Sequence, residues 1–175
     1  MRDDDFWRWS TQLARSLVDI HGRGIIHLAI KPETIRLTDD THDVRISCFQ
    51  NACEATLAAA HVLRPTDKPE YRSPDQLHSF ASDVFSVGVT LFEMATGELP
   101  LPGRDARAIE DPAKRELVSI ALRDEPSERP TAEALLEKVL ELAQSSQGLA
   151  RVWVCANPPW EGNRWQPWWW RWAWW

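Results

Sequence analysis

The residues predict an α+β domain that is predominantly α-helical, with its strands confined to one small β-hairpin. Three observations carry this expectation: apolar residues at helical spacing in four separate stretches, two short β-branched runs around a turn-forming tetrapeptide, and a composition suited to one packed core. Of the 175 residues, 43% are hydrophobic, and the length is that of one ordinary domain. Twenty Lys and Arg against 26 Asp and Glu give a net charge of −6, which argues against a nucleic-acid partner, because neutralising phosphates needs clustered cations. Cys48, Cys53 and Cys155 are too few, and odd in number, for a disulfide scaffold; they fit a reducing, cytoplasmic setting. The acidic start Met1-Arg2-Asp3-Asp4-Asp5 is unlike a secretory signal, and no apolar run reaches the ~18–20 residues of a membrane span.

In chain order, Phe6, Trp9, Leu13, Leu17 and Ile20 are spaced as one helical face, and Gly22 and Gly24 end that helix. Ile35 to Thr38 and Val44 to Ser47, separated by Asp39-Asp40-Thr41-His42, form the expected hairpin. No period persists from Phe49 to Tyr71, so this stretch reads as a long loop. Val84 to Ala95 is apolar nearly all round, the pattern of a buried helix, with Ser82-Asp83 as its start and Thr96-Gly97 as its stop. After a turn-rich interval, Ala113 to Leu122 reads as a helix. Pro130-Thr131-Ala132-Glu133 opens a last one, which carries Leu135, Leu136, Val139, Leu140 and Leu142 on its apolar side.

The segment His27-Leu28-Ala29-Ile30-Lys31-Pro32-Glu33-Thr34-Ile35 resembles the catalytic loop of protein kinases, whose pattern is H-R-D-L-K-P-E-N. The likeness continues in order. Arg45-Ile46-Ser47-Cys48-Phe49-Gln50 lies where the D-F-G motif belongs, and Tyr71-Arg72-Ser73-Pro74-Asp75 is similar to the A-P-E segment. Asp83-Val84-Phe85-Ser86-Val87-Gly88-Val89 is similar to the D-V-W-S-L-G-V helix, and Glu128-Arg129-Pro130-Thr131 to the Arg-Pro turn. The resemblance implies a protein-kinase-like C-terminal lobe, the large helical one, over residues 1–144. It also implies that the chain lacks the small lobe, because its seven glycines form no G-x-G-x-x-G.

Phosphoryl transfer needs a carboxylate to orient and deprotonate the attacking hydroxyl, and oxygen ligands for Mg²⁺. The resemblance places these roles on Ala29, Thr34 and Cys48. A methyl group accepts no proton, a lone hydroxyl is a weak ligand for a hard cation, and a thiol prefers softer metals. Lys31, which in serine/threonine kinases touches the transferred phosphate, is kept. Leu28 replaces the loop arginine that would pair with a phosphorylated activation segment. The positions that the resemblance makes structural are retained: His27 and Phe49 in the internal spine, Asp83 as tether of the catalytic loop, and Asp75 with Arg129 as a buried ion pair.

The expectation is therefore a catalytically dead kinase-like domain, a pseudokinase with neither cofactor nor metal, where the family would use ATP and Mg²⁺. It would act by binding a protein partner or a second copy. The alternative is a serine/threonine protein kinase family member whose small lobe lies outside this chain. Residues 145–175 form a separate tail holding nine of the eleven tryptophans between Trp153 and Trp175, with Arg151, Arg164 and Arg171 against Glu161. It reads as a disordered segment or a reading-frame artefact. Membrane contact through Trp153–Trp175 is the alternative, since indole rings favour the headgroup interface.

Overall fold

The first apolar stripe becomes α1, Asp3–His21, which buries Phe6, Trp7, Leu13, Ala14, Leu17 and Ile20. The computed structural model describes residues 3–60, 68–75, 77–100 and 106–146, so the Trp153–Trp175 expectation lies outside the described residues. After α1 come four short strands: β1, Ile25–Ile26; β2, Ile35–Leu37; β3, Val44–Ile46; and β4, Cys53–Glu54. Three longer helices complete the described chain: α2, Phe80–Thr96; α3, Pro112–Ala121; and α4, Ala132–Ser146. Helices predominate, as the sequence predicts.

β2 and β3 pair antiparallel with Arg36 opposite Arg45, which is the expected hairpin. The polar side of α1 holds it in place. Gln12 accepts the Val44 N–H at 2.7 Å and donates to Asp43 at 2.6 Å, while Arg8 binds the same carboxylate at 2.8 Å. The Trp9 indole N–H donates to the His42 carbonyl at 3.2 Å. Thr41, Arg8 and Gln12 together hold the Asp43 carboxyl down at about 2.

Two expectations need correction. The stretch after Phe49 is not a featureless loop: β4 pairs antiparallel with β1, Ile26 opposite Cys53, and tight 3-10 turns span Phe49–Asn51, Ala55–Ala60 and Pro69–Tyr71. A two-residue ribbon whose partner lies far back in the chain leaves no local period to find. The buried helix, in turn, starts at Phe80 with Ser79 at its cap position, so Ser82 and Asp83 lie inside it. Both are buried, and Asp83 is tolerated there because distant donors satisfy its carboxylate.

The core lies where α1, α2, α3 and α4 meet, around Phe6, Leu17, Val87, Phe92, Leu117, Leu135 and Val139. α2 and α3 approach closely at Gly88, where an added Cβ would stand 2.8 Å from the Ala121 Cβ. Asp111 caps α3 by accepting from the N–H groups of Ala113 and Lys114 at 2.8 and 3.0 Å. Gly97 closes α2 at φ 78, in the left-handed region. α4 continues to Ser146, past the boundary expected after residue 144.

Candidate functional site

The loop from His27 to Thr34 leaves β1 and rests on α2. Asp83 accepts the backbone N–H groups of His27 and Leu28, both at 2.7 Å. Its Oδ2 also accepts from Nε2 of His21 at 3.1 Å. A carboxylate with no exposure is costly unless paired and hydrogen-bonded, and these donors supply the pairing. They also fix Leu28 at φ 59, a left-handed conformation that costs a residue with a Cβ about 1–2 kcal/mol.

His27 is fully buried. Its Nε2–H donates to the Ser47 carbonyl at 3.1 Å, and its Nδ1 accepts from the Ala29 N–H at 3.3 Å, an arrangement that requires the neutral ring. Burial pulls its pKa below the usual imidazole value, and the pull of Asp83 and the bond to Ser47 offset this only in part. The His27 ring meets Phe49 at 4.7 Å between centroids, edge to face at 69°. Phe49 remains 46% exposed.

Thr34 has its hydroxyl turned into the loop. Its one proton is shared between the carbonyls of Ala29 and Lys31, at 2.8 and 2.9 Å, and its oxygen accepts the Lys31 N–H at 3.1 Å. Ser47 fastens the next segment by donating to the Thr34 carbonyl from its N–H and its hydroxyl, at 2.8 and 2.9 Å. Cys48 is an exposed free thiol held at φ 65. Non-glycine residues in this region concentrate where surrounding structure over-determines the backbone.

Mg²⁺ selects hard oxygen ligands, usually carboxylates. At Ala29, Thr34 and Cys48 the chain offers a methyl group, a hydroxyl already engaged with the backbone and a thiol. This donor set does not fit the ion. Lys31, half-buried, lines a shallow cleft together with Ala29.

On the far side of the loop, Arg129 Nη2 lies 2.7 Å from Asp75 Oδ2, with the arginine side chain fully buried and the aspartate 12% exposed. Arg129 also donates to Ser73 Oγ at 2.8 Å and to the carbonyls of Arg123, Asp124 and Ala81 at 2.7, 2.9 and 3.1 Å. Its guanidinium covers the Phe85 ring at 5.0 Å. Burial pushes the Asp75 carboxyl up, but the bonds from Ser73, the Leu77 N–H and Arg129 outweigh it and hold the carboxyl below its usual range.

A family model, the protein kinase domain, matches residues 1–147. This chain belongs to the protein kinase family. Ribosomal protein S6 kinase alpha-2 of Mus musculus is 34% identical over 109 residues, covering 60% of this chain and 15% of that protein. Ribosomal protein S6 kinase alpha-1 of Homo sapiens is 33% identical over 109 residues, with the same shares. A Dictyostelium discoideum protein named as a probable protein kinase is 28% identical over 174 residues, covering 83% of this chain and 46% of that protein. The chain thus spans less than half the length of these relatives.

Within this kinase lobe, the structure brings His27, Phe49 and Asp83 together around the loop and sets Asp75 with Arg129 apart from them, beneath the Tyr71–Asp75 segment. Sequence reasoning missed His21, which closes the Asp83 network. Asn51 and Arg72, which line the cleft beside Ala29, were missed as well. Their positions next to Phe49 and inside the A-P-E-like segment were the available signal.

Proposed function

We propose that this kinase lobe works by binding a protein and does not transfer phosphate. The observation that supports this reading is the state of the loop: the three positions at which the family's chemistry needs a carboxylate or an amide oxygen hold Ala29, Thr34 and Cys48, and the Thr34 hydroxyl is bonded into the backbone. Loss of a general base alone typically costs ~10²–10⁴ in rate. The retained side chains His27, Phe49, Asp83, Asp75 and Arg129 preserve the shape of the lobe on this reading. No nucleotide or metal is needed for the activity. The partner is a protein or a second copy of the chain, not a nucleic acid. Membrane contact through Trp153–Trp175 is the less favoured use of the tail.

A second reading, favoured by the kinase names of the relatives, is a serine/threonine protein kinase whose activity requires a small lobe outside this chain. Fusing the chain to a related kinase's small lobe and supplying Mg²⁺, radiolabelled ATP and mixed serine, threonine and tyrosine peptides separates the two. The first reading expects label from the triple variant A29D/T34N/C48D and none from the natural residues. Label incorporated by the natural fusion overturns it and supports the second. Among the described residues no helix is long and apolar enough to cross a membrane. We place the chain in the cytoplasm on the strength of its sparse, odd cysteines, of which Cys48 and Cys53 are free thiols.

A further inference from the structure

We draw no further inference here: the strongest candidate, the exposed apolar surface patch of Leu57, Leu77 and Phe80 beside the start of α2, carries nothing because nothing in the structure shows what covers it.

Discussion

His27 donates through Nε2 to Ser47 and accepts through Nδ1 from Ala29, so protonation would break the second bond and place a charge in a site without solvent. Its folded pKa lies below the usual 6.5, so the unfolded chain binds the proton more readily. The stability that His27 contributes is therefore complete above about pH 6.5 and is lost as pH falls through the folded value. Melting temperature recorded from pH 7 down to 5 should fall more steeply for the natural chain than for His27→Phe, which keeps a ring against Phe49 and loses the titrating group. Parallel curves would show that His27 is not held neutral. Thr34 shows a different residue-scale effect. Read as a weak metal ligand, it proves to be a buried connector, because its one hydroxyl proton lies within reach of two carbonyls while its oxygen accepts an N–H within the same turn.

At the scale of elements, α2 organises the lobe through three contacts of different kinds. Asp83 holds the loop, Gly88 lets α3 approach, and the Ala81 carbonyl and the Phe85 ring receive Arg129. Gly88→Ala should destabilise the chain by roughly 1–3 kcal/mol through overpacking against Ala121 and Leu122. An unstrained Gly→Ala change would instead stabilise by about 0.4–1 kcal/mol, so the sign of the shift in urea midpoint decides the matter. Arg129→Ala should cost about 3–5 kcal/mol, since it leaves Asp75 partly buried without its partner. Arg123→Ala, which removes an exposed contact to Glu128, should stay within about 0.5 kcal/mol. Equal midpoints for the two arginine variants would mean that the Asp75 pair contributes nothing.

For the whole molecule, the proposal that the loop does not hold Mg·ATP has a thermodynamic signature. A ligand at 100 times its dissociation constant adds ~2.7 kcal/mol to stability, which a melting experiment resolves readily. Millimolar ATP should leave the melting temperature of the purified chain at the same value with and without Mg²⁺. A rise that requires the metal would show that the positions of Ala29, Thr34 and Cys48 do not decide nucleotide binding. Apolar side chains remain open on the surface, among them Phe49, Leu37, Leu57, Leu77 and Phe80, and in the protein-binding proposal such residues supply contact area.

The sequence by itself determined the four helices, the hairpin and the family, because helical periodicity is local and the loop, helix and turn motifs keep their order even where single residues change. It also determined that position 29 offers a methyl group where the family's loop pattern has a carboxylate. Tertiary structure alone decided the β1–β4 ribbon, the grip of Gln12 on the hairpin and the joining of His21 to the Asp83 tether. Each joins residues far apart in the chain, so no window of sequence contains both partners. The cleft followed the same rule: Lys31, Asn51, Lys68 and Arg72 are scattered along the chain, and only the fold brings them to one opening.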